Sequence, residues 1–431
     1  MLSKTIDPGW PGRSYWARAL AFPYALLVVL GPLACSSTGG AGHASDAKET
    51  SKSLDAKVPS SSGADSCLEW QQVYGGAAHE GGQAVAALPD GGWAIFGDTE
   101  GKGEGGTDFW LIRTDRAGTA LWDTTFGSSG NEYAKAFAAL PDGRFILAGD
   151  RWGDDITMLI EGVSAEGHGI WEVQSPQWML DYNYAMAYGA LNTDSGRVVI
   201  AGRTGLDPTS MLLAKSKSFD TFTTQVIEGY DGASARALAA MPEDGLLVAG
   251  TRGVDAGIGA ENLWVLRLDK AGSIVWEAKS AGEMNTEVSA VSFSDGSSIV
   301  GGRGHTGGGY RLLRLDAAGK TLWEKRYDGF GEKDYFSLAT LGDSSVILVG
   351  NVAVKGTLAE DAWVRYINLD GEQTGEWTGG GPGRDLPTAV AVAADGRLGI
   401  TGLTSTSTTD LTDSDVWMLV LDPSGTHCGG K

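Results

Sequence analysis

The sequence predicts an all-β fold: a seven-bladed β-propeller of four-stranded blades over residues 66–428, closed by the N-terminal strand pairing into the last blade. Three observations predict it. A glycine ending a short apolar run recurs at Gly97, Gly149, Gly202, Gly250, Gly302, Gly350 and Gly402. A turn pair stands seven residues before most of them, at Asp90-Gly91, Asp142-Gly143, Ser195-Gly196, Asp295-Gly296, Asp343-Ser344 and Asp395-Gly396, with Asp244-Gly245 six before. Finally, Glu69-Trp70-Gln71-Gln72-Val73-Tyr74-Gly75 aligns with Leu121-Trp122-Asp123-Thr124-Thr125-Phe126-Gly127, although no complete unit precedes it.

The glycine gaps of 52, 53, 48, 52, 48 and 52 residues fit a repeat of one four-stranded sheet. In such arrays each unit buries its face against its neighbours. Asp-Gly between two apolar segments is a hairpin signal, because the turn needs left-handed backbone. The first unit reads as strands Gln83 to Leu88, Trp93 to Gly97, Phe109 to Thr114 and Thr119 to Phe126. The third strand ends at an Asp-x-x-Gly turn, as at Asp115, Asp269, Asp316 and Asp422, and the fourth carries Trp122, Trp171, Trp276, Trp323 or Trp377. The third unit, with Phe222 and Thr224 there, is degenerate. The missing tryptophan is Trp70, so the N-terminal strand supplies the fourth strand of blade seven and removes both open sheet edges.

Cys67 and Cys428 flank this latch and form the only pair left if Cys35 is modified; the alternative is two buried free thiols. A bond between them would close a loop of about 360 residues and stabilise by several kcal/mol in the chain-entropy model.

Residues 1–34 have the plan of a secretory signal peptide: Lys4, Arg13 and Arg18 precede the apolar run Ala19 to Ala34. The sequence Gly31-Pro32-Leu33-Ala34-Cys35 resembles the lipobox of bacterial lipoproteins, which implies lipidation of Cys35; ordinary cleavage nearby and a retained helix are the alternatives. Within that class, Ser36 after the cysteine implies the outer membrane, with the protein facing the periplasm or the cell surface. Residues 35–65 are Ser, Gly, Ala and charge, a flexible tether, and residues 429–431 are a tail. The net charge of −21, from 33 basic against 54 acidic residues, repels phosphate backbones and argues against a nucleic-acid partner.

Units such as Tyr74-Gly75-Gly76, Ala84-Val85-Ala86-Ala87, Asp90-Gly91-Gly92 and Gly97-Asp98-Thr99 resemble bacterial extracellular β-propeller repeats of the SBBP type over residues 66–428. That resemblance implies the propeller fold and a surface or secreted location, and it carries no catalytic motif to transfer. Leu268-Asp269-Lys270-Ala271-Gly272-Ser273-Ile274-Val275-Trp276-Glu277 is similar to the tryptophan docking repeats of quinoproteins, and to those of the lipoprotein of the outer-membrane β-barrel assembly machinery. Both have eight blades, against the seven expected here.

The motifs of common catalysts are absent: no Gly-x-Ser-x-Gly, His-Glu-x-x-His, Cys-x-x-Cys or phosphate-binding loop, and the five histidines have no metal-site spacing. No cofactor is expected. Trp110, Trp264, Trp363 and Trp417 recur on the third strand and should pack between blades. Trp152, Trp178 and Tyr310, outside this pattern, are exposed candidates for ligand contact.

The loops joining second to third strands vary, at 98–108, 203–210, 251–262, 351–361 and 403–415, and share one face with the inter-blade loops. Variable loops on a rigid ring are where function is placed. Glu80, Glu132, Asp334 and Asp385 stand at matching places in the inter-blade loops, as loop-fixing acceptors of backbone amides, a cation site, or an acid–base pair acting on a sugar. The expected function is therefore non-enzymatic: a monomeric binding or scaffold propeller, touching a membrane only through its anchor, that presents its loop face to a protein or polysaccharide. An extracellular lyase or glycosidase using the mouth carboxylates is the alternative.

Overall fold

Four of the inner hairpins close through the glycine turn their sequence specifies. The structure is a computed structural model that describes residues 67–422 apart from 154–155, 175–184, 193–197, 205–209, 219–220, 228–232, 254–260, 305–308, 328–335, 355, 382 and 409–410. The signal peptide and the tether up to Ser66, Cys35, Trp178, Asp334 and Cys428 lie outside the described residues. In the inner hairpins Gly91, Gly143, Gly296 and Gly396 hold φ of 85°, 87°, 79° and 89°, where a Cβ would be strained. The unit with the shorter spacing differs. There Pro242–Asp244 forms a 3-10 turn, and Glu243 and Asp244 themselves occupy the left-handed region at φ 63° and 61°.

The Asp-x-x-Gly turns share a second device. Asp115 Oδ1 accepts from the amides of Ala117 and Thr119 at 2.9 and 2.8 Å, and Asp269 and Asp316 do the same two and four residues on. Asn368 replaces the aspartate in one unit with the same two bonds, at 3.0 and 2.8 Å.

These turns produce an all-β propeller of four-stranded antiparallel blades. Three sheets stand alone: Glu80–Ala87, Trp93–Thr99, Asp108–Thr114 and Ala120–Phe126; Asn131–Ala139, Phe145–Trp152, Ile156–Val163 and Gly169–Gln174; and Ala185–Asn192, Val198–Thr204, Ser210–Ser218 and Thr221–Ile227. The last of these is the degenerate unit, which keeps four strands although its fourth has lost the tryptophan.

A seven-stranded sheet runs from Ala233–Met241 to Thr321–Tyr327, and its 19-residue strand Ile274–Ser292 pairs first with Glu261–Leu268 and then, after a register break, with Ser298–Gly304. An eight-stranded sheet holds the remaining strands from Phe336 onward, joined across its middle by the single parallel pair Glu360 and Arg384. Its outer strand is Leu68–Tyr74, antiparallel to Asp415–Leu421, with Trp70 opposite Val420. The N-terminal strand thus completes the last blade.

The periodic glycine is a point of close approach. A Cβ on Gly97, Gly149 or Gly402 would lie 2.1 Å from the carbonyl oxygen of Gly81, Tyr133 or Leu386, and one on Gly250 would lie 1.9 Å from that of Ser234. In each case the first strand carries a bulge next to this contact, between Gly82 and Ala84, Ala134 and Ala136, Ala235 and Ala237, or Pro387 and Ala389. A bulge re-aims one side chain and frees backbone groups. Neighbouring blades meet them: the Ala134 amide donates to Asp98, and the Thr388 hydroxyl donates to Gly82 O at 2.7 Å.

At the outer rim several blades dock on the next through a fourth-strand tryptophan. The indole N–H of Trp70 donates to Arg116 O at 3.0 Å, that of Trp276 to Ala317 O at 3.0 Å, and that of Trp323 to Leu369 O at 2.8 Å. The rings lie on the glycines of the turns they reach, so that a Cβ on Gly118 would be 2.7 Å from Trp70 and one on Gly319 would be 2.6 Å from Trp276. Four residues on, Tyr74 and Tyr327 donate to Gly118 O and Gly371 O at 2.6 and 3.0 Å. The third-strand Trp110, Trp264, Trp363 and Trp417 are buried among apolar side chains, as expected.

Because the clash at Gly97 is with backbone, Gly97→Ala should destabilise by about 1–3 kcal/mol. Gly396→Ala, where nothing lies within 4 Å of the new methyl, should lose only the left-handed strain of about 1–2 kcal/mol. Urea unfolding of the two variants measures both, and equal or larger loss at Gly396 would contradict the close-approach role.

Candidate functional site

The inner strands begin earlier than the sequence pattern suggests, and this decides what the candidate carboxylates do. Glu80 starts its strand and its amide donates to Ser414 O at 2.7 Å; the Glu132 amide donates to Thr107 O at 2.7 Å. The residues expected around an acidic mouth therefore sit beneath it: Glu80, Glu132 and Asp385 are 2%, 0% and 2% exposed. Each accepts from the amide four residues earlier. Glu80 Oε2 takes Gly76 N–H at 3.0 Å, Glu132 Oε2 takes Ser128 N–H at 3.0 Å, and Asp385 Oδ2 takes Gly381 N–H. Their second oxygens are also engaged, with Thr99 at 3.2 Å, Ser128 Oγ at 2.7 Å together with Arg151 Nε at 2.8 Å, and Thr404 at 2.7 Å.

A second carboxylate faces each of them from the preceding blade: Asp415 for Glu80, Asp108 for Glu132 and Asp361 for Asp385. A glycine lies against each pair. A Cβ on Gly75 would be 1.8 Å from Asp415 and 2.8 Å from Glu80, one on Gly127 1.9 Å from Asp108 and 2.6 Å from Glu132, and one on Gly380 2.7 Å from Asp361 and 2.6 Å from Asp385. Burial, followed by the charge of the facing carboxylate, lifts Asp108 from its ordinary 3.8 to about 7 and Asp361 and Asp415 to about 6. Asp415 is also hydrogen-bonded to Glu80, so this pair holds a proton between two blades. These partners went unremarked in the sequence, yet the signal is there: Asp108, Asp361 and Asp415 each stand two residues before the third-strand tryptophan.

The aromatic candidates divide. Trp152, at the loop end of its strand, is 45% exposed and meets Tyr133 edge-on with centroids 5.4 Å apart. Tyr310, expected to be exposed, is instead fully buried, stacked near Trp363 at 6.4 Å and tilted on Phe336 at 5.1 Å. The register explains the correction. Tyr310 pairs with the residue after the periodic Gly302, as Phe109 does after Gly97, so both occupy the same inter-blade core position. Phe109 lies against Gly149 of the following blade and Tyr310 against Gly350.

The structure does not bring the surviving candidates into one cluster, since Glu80, Glu132 and Asp385 belong to different blade junctions. Near Glu132, Arg151 also reaches Glu172 at 3.2 Å, and burial together with Glu172 pushes Glu161 up to about 9. Among the described residues no group of three His, Cys, Asp or Glu side chains could hold a metal ion.

The carboxyl pairs imply a pH dependence. In the unfolded chain Asp108, Asp361 and Asp415 would lose their protons near pH 4, but in the fold they do so at about 7, 6 and 6. The folded state therefore binds protons more tightly, and their stabilising contribution, full below the unfolded value, is lost as pH rises through the folded values and is gone above about pH 7. Thermal unfolding midpoints should accordingly fall between about pH 5 and pH 8. Asp108→Asn, which cannot ionise, should reduce that fall, and an unchanged pH slope in this variant would refute the assignment.

No protein-family model matches the chain, and no curated protein does. Solved structures similar to it include hydrazine synthase from Kuenenia stuttgartiensis, at 12% identity over 78% of this chain and 94% of that one with a TM-score of 0.50. A protein of unknown function from Dyadobacter fermentans matches at 12% identity over 82% and 98%, TM-score 0.48, and the α-L-arabinanase of Penicillium chrysogenum at 12% over 67% and 94%, TM-score 0.48. At such identities the likeness is one of fold alone, and the fold is the β-propeller.

Proposed function

We propose that the chain is a non-enzymatic binding or scaffold module, a seven-bladed propeller held on the outer membrane by a lipid at Cys35, that recognises a protein or polysaccharide through its loop face. The observation that carries this reading is the burial of Glu80, Glu132 and Asp385. Carboxylates bonded to backbone amides hold the inter-blade loops in place and are not presented to a substrate, whereas the loops joining second to third strands vary from blade to blade.

The count of seven blades is supported by the first strands, which touch in succession from Glu80–Ala87 through those starting at Asn131, Ala185 and Ala233, the second half of Ile274–Ser292, Phe336–Leu341 and Arg384–Val392, and back to the first. A Cys67–Cys428 disulfide at the latch is supported by the bond from the Asp422 amide to Cys67 O at 2.7 Å, six residues before Cys428.

Capture from crosslinked cell envelopes, together with a glycan array, should yield a saturable partner that is lost when the 251–262 loop is replaced. No such partner in either assay would refute the binding role. Independently, Cys35→Ser should release the protein from membranes, and continued retention would count against the lipid anchor.

A further inference from the structure

We propose that the junction between the first two blades is a proton-controlled gate, shut while its buried carboxyls are neutral and opening when they ionise, while the junction with the last blade holds. The two blades are separate sheets, Glu80–Ala87 to Ala120–Phe126 and Asn131–Ala139 to Gly169–Gln174, so no ladder runs from one into the other. Scattered bonds fasten them instead. At the loop end the Gly106 amide donates to Gly130 O at 3.1 Å and the Glu132 amide to Thr107 O at 2.7 Å, at the inner wall the Ala134 amide donates to Asp98, and at the rim Trp122 lies on Gly167. Between these fastenings runs a strip of ionisable side chains. Arg151 Nε donates to Glu132 at 2.8 Å and its other two nitrogens to Glu172 at 3.2 and 3.4 Å, and Glu161, opposite Glu172 on the adjacent strand, is hydrogen-bonded to it. Glu161 is on the face turned to the first blade. Its cross-strand partner Leu147, and Leu159 two residues before it, pack with Phe96, Phe109 and Leu111 of that blade.

The other blades do not repeat this strip. The register place of Glu161 holds Ile112, Ala214, Leu266, Leu313 and Leu419 in five of them and Arg365 in the sixth. At the next two junctions the places of Asp108 and Glu132 hold Thr157 and Ala185, then Ser210 and Ala233, which carry no charge. Asp108 itself is buried with neither oxygen in a hydrogen bond of normal geometry. Burial above all lets three carboxyls here keep their protons to near neutral pH or beyond. For Asp108 the charges of Glu132 and Glu104 add to burial and outweigh the Glu104 amide, giving about 7; for Asp98, also about 7, burial outweighs the Ala134 amide, Lys135, His79 and Gln83. For Glu161 burial, the charge and hydrogen bond of Glu172 and the charge of Glu132 outweigh Arg151, giving about 9. Once ionised, these three join Glu132 and Glu172 against the guanidinium of Arg151 and the ammonium of Lys135. Excess like charge in one interface pushes its two sides apart. The protons' contribution to closure is full below the unfolded carboxyl values and is lost as pH rises through about 7 to about 9.

Hydrogen exchange of the full native chain, resolved to single amides by mass spectrometry and expressed as protection relative to an unstructured chain at the same pH, tests this. Between about pH 7.5 and about pH 9.5 the protection of the Gly106 and Glu132 amides should fall about tenfold or more. The Glu80 amide is the control. It donates to Ser414 O at the junction with the last blade, where Asp415 has already lost its proton at about 6, so its protection should change less than about threefold over the same range. Glu161→Gln, which cannot ionise, should keep Gly106 and Glu132 protected, and Arg151→Met should bring their loss of protection to lower pH. A parallel fall at Glu80, or an unaltered fall in Glu161→Gln, would overturn the gate. Should Glu161→Gln fail to fold, the contrast between Glu132 and Glu80 in the native chain decides alone. The loop-face binding role does not enter this readout, so neither result bears on it.

Discussion

Four blade junctions depend on a contact between an indole and a glycine. An isolated four-stranded sheet has two faces to bury and an outer edge to manage. Here the fourth-strand tryptophan of one blade lies on the turn of the next and donates its N–H to a carbonyl of that turn. The glycine of that turn meets two demands at once, since its left-handed φ closes the turn and its missing Cβ leaves room for the ring. A single residue type thus couples a local turn to a long-range interface, so the turn and the docking stand or fall together. Tyr74 and Tyr327 extend the contact by bonding the glycine carbonyl itself.

Two further layers repeat the logic nearer the axis. At the inner wall, hydroxyls bridge adjacent first strands and a second-strand carboxylate reaches the next blade's first strand: Ser289 accepts from the Leu338 amide, Ser337 accepts from that of Val390, and Asp98 accepts from that of Ala134. On the loop side, paired carboxylates with a glycine against them join strand starts from consecutive blades. Apolar packing between blades has no direction of its own, and these polar contacts give it one. The acidic groups are costly to bury, and the protein lowers that cost by keeping one member of each pair protonated up to near neutral pH.

The parts of the fold legible in the sequence were those whose physics is local or strictly repeated. The periodic glycine, the Asp-capped turns and the tryptophans each stand at a fixed distance from their neighbours, and even the closing strand announced itself because Trp70 copies Trp122. The site was less legible. Glu80 and Asp415 meet although most of the chain separates them, so no spacing rule links them; only the shared position of Asp415, Asp361 and Asp108 before a tryptophan hints at it. Tyr310 was misread because the tryptophan pattern lapses in its unit, where Arg311 stands in the place of Trp110, and the core position beside it lost its landmark.

The closing strand also sets the timing of folding. Leu68–Tyr74 is made before its hydrogen-bonding partner, Asp415–Leu421, with every other described strand between them. Until then the early strand has no ladder to join, and Trp70 can rest on Gly118 only from an unpaired segment. Contacts of such sequence separation form slowly and expose strand edges while they wait. Individual blades can gather their own hairpins as they emerge, but the ring closes only once Asp415–Leu421 is available to pair with the waiting strand.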